Sequence, residues 1–290
     1  MASDSTPRKT ATLLVCCPDR KGLVANISDF IFRHGGNILH ADQHTDLEAG
    51  IFLTRIEWEL HGFQLPREQI RPKFQRIAAD FQMQYEIFFS DQIPKVAIFV
   101  SRLSHCLQDL LLRQKAGDFK ADIALIISNH PDASEISQSF GIRFRHFPIT
   151  PENKTEQEKS EIQLLHSSGI ELIVLARYMQ VLSDSFVAEF PKRIINIHHS
   201  FLPAFVGAQP YQQAYQRGVK LIGATGHYVT SELDNGPIIE QEVIRISHRD
   251  SVEDLIRKGR DLEKVVLARA VRLHLMHRIL TYNNKTVIFD

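Results

Sequence analysis

Apolar residues along this chain follow two rhythms, short continuous runs and longer stretches that return every three to four positions, and their order predicts the elements. The run ATLLVCC at 11–17 ends at the turn cluster Pro18-Asp19-Arg20-Lys21-Gly22, and LVANISDFIFRHGG then follows with helical spacing, stopped by Gly35-Gly36. β-rich stretches around 38–44 and 51–60, with Glu48-Ala49-Gly50 as a hairpin turn, predict two strands. Ile70, Phe74, Ile77 and Phe81 form the stripe of a second helix over 66–81, and the run at 83–89 closes the unit. The order βαββαβ is the ferredoxin-like pattern.

Ser90-Asp91-Gln92-Ile93-Pro94 is polar and then interrupted by proline, which suits a linker and predicts domains at 1–92 and 93–290. Beyond it, VAIFV (96–100), IALIIS (123–128), RFRHFPI (143–149), ELIVLA (171–176) and RIINI (193–197) alternate with helical windows at 106–115, 133–140, 154–168 and 183–190. Continuous apolar strands separated by helices predict a Rossmann-like, mostly parallel α/β sheet covered on both faces, with its site beyond the carboxyl ends of the strands. From Leu221 the segment IGATGHYVTSELDNGPIIEQEVIRI predicts two antiparallel strands joined at Asp234-Asn235-Gly236. Ser251 caps a long helix with the apolar stripe Leu255, Leu262, Val265 and Val266.

Composition narrows the function classes. The chain has 290 residues, 43% of them hydrophobic, enough for a core in each of two domains. Lysine plus arginine equal aspartate plus glutamate at 34 each, so no net field draws nucleic acid or an anionic membrane, and neither is an expected partner. No secretory h-region and no apolar run near the about eighteen residues of a membrane span is present, and a cytoplasmic location is expected. Cys16, Cys17 and Cys106 fit neither a disulfide framework nor a zinc pattern. His274 and His277 lie three apart on the last helix but lack a nearby carboxylate or cysteine pattern, and a packed helix face accounts for them better than a metal. The basic residues of that helix alternate with Glu253, Asp254, Asp261 and Glu263, which predicts ion pairs on a surface helix.

The candidate chemistry lies in Ile195-Asn196-Ile197-His198-His199-Ser200-Phe201-Leu202-Pro203 and Leu233-Asp234-Asn235-Gly236-Pro237. Strand alternation turns Asn196 and His198 to one face, and the later loop offers the carboxylate of Asp234. Each residue alone has a structural explanation, in backbone satisfaction, core packing or turn chemistry. Together, an amide, an imidazole and a carboxylate suit attack on a carbonyl.

Two resemblances extend this reading. Asp19-Arg20-Lys21-Gly22-Leu23-Val24-Ala25-Asn26-Ile27, after the first strand, is similar to the ACT family of small regulatory domains over roughly residues 10–90. It implies either an amino-acid effector beside Asp19, Gly22 and Asn26 or an assembly role, with a homodimer or homotetramer expected. Residues 95–280, through the two segments above, resemble the formyltransferases that use formyltetrahydrofolate. That resemblance implies Asn196, His198 and Asp234 as the catalytic set, a folate pocket at Met179, Gln180 and Leu182 of Leu175–Leu182 facing Val229 and Thr230, and His227 as a further site histidine.

Departures from the formyltransferase pattern bear on the acceptor. The glycine-rich loop that holds a substrate phosphate in members formylating glycinamide ribonucleotide is replaced here by Val100-Ser101-Arg102-Leu103-Ser104-His105-Cys106, where Arg102 and Leu103 obstruct backbone approach. No tRNA-binding extension follows Asp290, and the neutral charge gives no help to tRNA. Phe201-Leu202-Pro203-Ala204-Phe205, Gly223–Thr230 and the domain order resemble the branch that hands the formyl group to water. The implied reaction converts 10-formyltetrahydrofolate and water to tetrahydrofolate and formate, serving one-carbon balance and purine synthesis. Folate is then the substrate, and no cofactor or metal is expected. Formyl transfer to an amine such as glycinamide ribonucleotide, or non-catalytic sensing of folate or an amino acid, are the alternatives.

Overall fold

The computed structural model describes residues 8–203 and 210–289 and divides the chain into two compact units, Met1–Ile93 with His277–Asp290, and Pro94–Met276. Ala204 and Phe205 of the sequence motif lie outside the described residues.

In the first unit, β1 (Thr10–Pro18), α1 (Leu23–Arg33), β2 (Asn37–Asp46), β3 (Ile51–Glu59), α2 (Arg67–Asp80) and β4 (Gln84–Phe89) follow one another as βαββαβ. The four strands form an antiparallel sheet in the order β2-β3-β1-β4. Because strand side chains alternate, β1 serves two cores. Leu13, Val15 and Cys17 pack with Ile27, Ile31, Trp58 and Phe74, while Leu14 and Leu53 face Phe289.

That second face corrects the expected boundary. The end of the chain forms a hairpin, β12 (Ile279–Tyr282) and β13 (Lys285–Ile288), that belongs to the first unit, whereas the sequence reading kept everything from 93 to 290 together. The physical reason is burial of the sheet face opposite the helices: Leu280, Tyr282, Val287 and Phe289 cover Leu14, Leu53 and Phe88. Polar contacts fix the register. Arg55 Nε donates to the His277 carbonyl at 3.0 Å, Tyr282 OH donates to Asp46 Oδ2 at 3.0 Å, and His277 stacks on Phe88 with ring centroids 3.6 Å apart.

The second unit runs β5 (Lys95–Val100), α3 (His105–Ala116), β6 (Asp122–Ser128), α4 (Ser134–Ser139), β7 (Arg143–His146), α5 (Lys154–Ser168), β8 (Leu172–Leu175), α6 (Asp184–Glu189), β9 (Ile194–His198), α7 (Pro210–Arg217), β10 (Leu221–Tyr228), β11 (Ile238–Arg245) and α8 (Val252–Leu275). The sheet order is β11-β10-β9-β8-β5-β6-β7, parallel from β9 to β7 and antiparallel at β10 and β11. β7 ends at His146, short of the 143–149 run, because it is an edge strand and Pro148 has no N–H to continue the ladder. Strand order reverses between β5 and β8, which opens a crevice beyond their carboxyl ends.

A capping box at Ser251 and Asp254 starts α8, which lies along β10. Gly226 permits this contact, since a Cβ there would come 3.0 Å from Ala270 Cβ. Leu255, Leu262, Val266, Leu267 and Val271 are buried, and so is Glu263, at 1% exposure. The expectation that Glu263 joins ion pairs on a surface helix is therefore corrected: it lies on the packed face. His274 is half-buried on α8, with Nδ1 2.7 Å from Tyr228 OH, whereas His277 lies past the end of the helix and stacks on Phe88, so the expectation that the two share the last helix is corrected. Among the described residues no helix is long and apolar enough to cross a membrane.

Candidate active site

Strand register builds the centre of the site. β9 and β10 pair antiparallel with His227 opposite Asn196 and Thr225 opposite His198, so alternation directs Asn196, His198 and His227 to one side while Ile195 and Ile197 turn into the core. Asn196 Nδ2 lies 3.2 Å from His227 Nε2, and His227 Nδ1 lies 2.9 Å from the Tyr228 carbonyl. A carbonyl only accepts, so Nδ1 of His227 carries a proton and its Nε2 faces the Asn196 amide.

Asp234 arrives from the loop between β10 and β11. Its φ of 53° lies in the left-handed region, which aspartate tolerates better than most residues, and the loop folds tightly onto the end of β10. Gly236 makes that approach: a Cβ there would stand 1.7 Å from the Tyr228 carbonyl oxygen. Tyr228 N–H donates to the Pro237 carbonyl at 2.9 Å and closes the loop. Asp234 Oδ2 is thereby set 3.1 Å from His198 Nδ1, and Oδ1 lies 3.6 Å from His227 Nε2. The structure thus brings Asn196, His198, His227 and Asp234 together.

Electrostatics divide their roles. Burial alone would raise the Asp234 carboxyl, but the contact with His198 at 3.1 Å, with His227 close by, outweighs it and holds the acid well below the usual carboxylate range. Asp234 is therefore an anion at neutral pH and accepts the Nδ1 proton of His198. His198 is buried, and its Nε2 has no hydrogen-bond partner among the described residues. His199 is pushed down to about 4 by burial and by the positive charge of Arg177.

The loop after β8 supplies a second wall. Ser101 Oγ accepts from Met179 N–H at 2.9 Å and donates to Asn129 Oδ1 at 2.7 Å, tying the loop at the end of β5 to the one at the end of β8. Leu182 and Val229 pack on the same apolar cluster, which sets the 179–182 loop beside the start of the Val229-Thr230 loop. Met179, Val181 and Leu233 are exposed apolar side chains on these two loops, a surface suited to a flat, partly apolar ligand. Gln180 and Thr230 are half-buried, and Thr230 Oγ1 donates to the Glu232 carbonyl at 3.2 Å.

In the first unit, Gly22 takes φ 95° at the start of α1, and the Asn26 side chain donates to the Gly22 carbonyl at 2.8 Å. Asp19 N–H donates to the Gly50 carbonyl at 2.8 Å. Gly22 and Asn26 are thus brought together, and each contact is one the turn itself requires.

A cluster of buried polar groups was absent from the sequence reading. Glu263 accepts from His105 Nε2 and from Tyr211 OH, each at 2.7 Å, and Arg177 Nε lies 3.5 Å away. Burial opposes its charge, but these donors hold the carboxyl below its ordinary value. The periodic signal was present, since Glu263 falls eight residues after Leu255 and one after Leu262, on the apolar stripe of α8. The donor atoms of His105, Cys106 and Glu263 also lie within 4.8 Å of one another, as a metal set would, but Glu263 already spends both oxygens on protein donors, and burial and its charge push the Cys106 thiol up.

A mostly parallel sheet with an Asn-His-Asp centre beyond its strands defines a class. Residues 94–271 match the model of the formyl transferase family, and residues 11–79 that of the ACT domain. The chain is 58% identical over 280 residues to a formyltetrahydrofolate deformylase of Synechocystis, covering 97% of this chain and 98% of that protein. The crystal structure of a formyltetrahydrofolate deformylase from Pseudomonas syringae superimposes with a TM-score of 0.97 at 46% identity, over 99% of this chain and 96% of that one. A glycinamide ribonucleotide transformylase from Symbiobacterium toebii matches with a TM-score of 0.65 at 30% identity, over 70% of this chain and 97% of that one. The chain belongs to the formyltetrahydrofolate deformylase family.

Proposed function

We propose that this chain hydrolyses 10-formyltetrahydrofolate to tetrahydrofolate and formate. The observation that carries the reading is the Asp234 anion, which is bonded to His198 through one oxygen and keeps the other 3.6 Å from His227 Nε2, beyond a hydrogen bond. Oδ1 therefore retains a lone pair for a water molecule. Asp234 takes a proton from that water as its oxygen attacks the formyl carbon, and the carbonyl oxygen becomes an oxyanion. The Asn196 amide and His198, donating from Nε2 in its protonated form, stabilise that oxyanion; one such donor is typically worth about 10²- to 10³-fold. Collapse breaks the carbon–nitrogen bond, and Asp234 returns its proton to the departing folate nitrogen. The formic acid released ionises to formate.

His227 positions this set, since its Nδ1 is spent on the Tyr228 carbonyl and its Nε2 faces both Asn196 and Asp234. The folate lies along Met179, Gln180 and Leu182, with Val229 and Thr230 opposite. The ACT-like unit serves either to assemble the chain as a homodimer or homotetramer or to bind an amino-acid effector at the 19–26 turn. Transfer to a phosphorylated amine is not favoured: the Ser101 hydroxyl is committed to Asn129 and Met179, and no glycine follows β5 until Gly117. The test is formate release from 10-formyltetrahydrofolate by purified protein with no acceptor added, with Asp234→Asn as control. Asp234-dependent release supports the reading. Release that requires glycinamide ribonucleotide overturns it.

A further inference from the structure

Arg177 stands at a backbone position that favours glycine. Its φ is 64°, yet it carries a long side chain that is only 10% exposed. The main chain around it is pinned, with its carbonyl accepting Ser101 N–H at 3.2 Å and Met179 N–H held by Ser101 Oγ. The left-handed turn therefore belongs to the loop and directs the guanidinium inward, into the crevice where strand order reverses. There Nε lies 3.5 Å from Glu263 Oε2 without a hydrogen bond, among His105 from α3, Tyr211 from α7 and Glu263 from α8. Its charge also reaches the His199 ring, whose centroid is 5.1 Å from that of His198.

We propose that the Arg177 side chain is a plug that fills the acceptor side of the crevice, so that water but not a phosphorylated amine reaches the formyl carbon. The inference rests on reading the site as a formyl-transferring centre. Crevices of this kind bind ligands between the loops that leave the two strands flanking the reversal. One wall, at 179–182, is assigned to folate, and Arg177 stands just after β8, tied through its carbonyl to Ser101 after β5, with its charge felt at His199. A glycine at 177 would suit the backbone and remove the side chain that stands beside Glu263. Water needs far less room than a ribonucleotide, so bulk alone discriminates between them.

The test compares wild type, Arg177→Gly and Arg177→Met by calorimetric binding of glycinamide ribonucleotide, alongside formate release and formylated-amine production. Arg177→Gly relieves the left-handed backbone, whereas Arg177→Met keeps much of the bulk without the charge. The plug predicts that Arg177→Gly binds the probe roughly tenfold or more tighter than wild type and forms some formylated amine, while Arg177→Met stays like wild type. Should Arg177→Gly not fold because Glu263 has lost its counter-charge, the double variant Arg177→Gly/Glu263→Gln is expected to show the same gain. Equal binding by wild type and the folded glycine variant overturns the plug, as does tightening by Arg177→Met as large as that by Arg177→Gly. Absence of formate release from wild type would overturn the proposed reaction instead, because the binding comparison does not depend on turnover.

Discussion

Asp234, half-buried, and Glu263, buried, are two carboxylates of the second unit held below their ordinary range by neighbouring groups, and their surroundings separate the acid proposed to react from a structural one. Glu263 is 1% exposed and spends both oxygens, on His105 and on Tyr211, with Arg177 completing its neutralisation. Asp234 is 13% exposed and spends one oxygen, on His198. A depressed pKa is common to both. Unspent hydrogen-bonding capacity beside a reachable surface belongs to Asp234, and that is what chemistry requires.

The sharpest way to break this comparison is to neutralise each acid. Asp234→Asn keeps the shape of the loop but cannot take a proton, so formate release is expected to fall by about 10²- to 10⁴-fold with folate binding and thermal unfolding little changed. Steady-state kinetics beside a folate-binding titration checks this, and near-normal turnover would remove Asp234 from the mechanism. Because Asp234 is held well below the usual range, its charge persists through mildly acidic conditions. The activity it supports should be lost only as pH falls below the ordinary carboxylate region.

Glu263→Ala should do the reverse. It strands His105 and Arg177 in a buried site and is expected to cost on the order of 3–5 kcal/mol of stability, read by denaturant unfolding, with a smaller loss of turnover per folded molecule than Asp234→Asn. A variant as stable as wild type but inactive would place Glu263 in the chemistry and dissolve the distinction.

The two regions also differ in how far they could be read from sequence. Asn196 and His198 share a strand, Asp234 lies in a recognisable turn, and alternation with turn chemistry was enough to bring them together. The Glu263 cluster joins α3, the loop after β8, α7 and α8, with His105 and Glu263 158 residues apart, so no local period could reveal which donors meet there. Only the burial of Glu263 was legible, from its place on the α8 stripe, and reading the charges of that helix as a solvated face hid it. The terminal hairpin left a signal that the sequence reading does not use. Ile279–Tyr282 and Lys285–Ile288 flank Asn283-Asn284, both with positive φ, a two-residue hairpin signal. Its attachment to the first unit was not legible, because nothing in that segment says which sheet face lacks a cover. Removing 277–289 should expose Leu14, Leu53 and Phe88 and destabilise the first unit by a few kcal/mol, seen as an earlier unfolding transition.

Glu161 supplies the third term of the comparison, a buried carboxylate near which only the Tyr178 hydroxyl stands as a donor, without closing a hydrogen bond. It is 0% exposed on α5, neither oxygen has a hydrogen-bond partner among the described residues, and burial, with the like charge of Glu158 added and Tyr178 opposing, pushes its carboxyl from 4.5 up to about 8. The folded protein therefore holds this proton more tightly than the unfolded chain does. Its contribution to stability is full below about 4.5 and is lost as pH rises through about 8. Glu161→Gln removes that proton equilibrium while keeping the volume. Relative to wild type, the variant should gain on the order of 3 kcal/mol between pH 5 and pH 8, measured as unfolding free energy at each pH, with turnover near neutral pH little altered. A difference that stays flat across that range would mean the buried acid finds a partner or water in solution. Glu161 would then join Glu263 as a satisfied structural group, and want of a donor could no longer be what separates them.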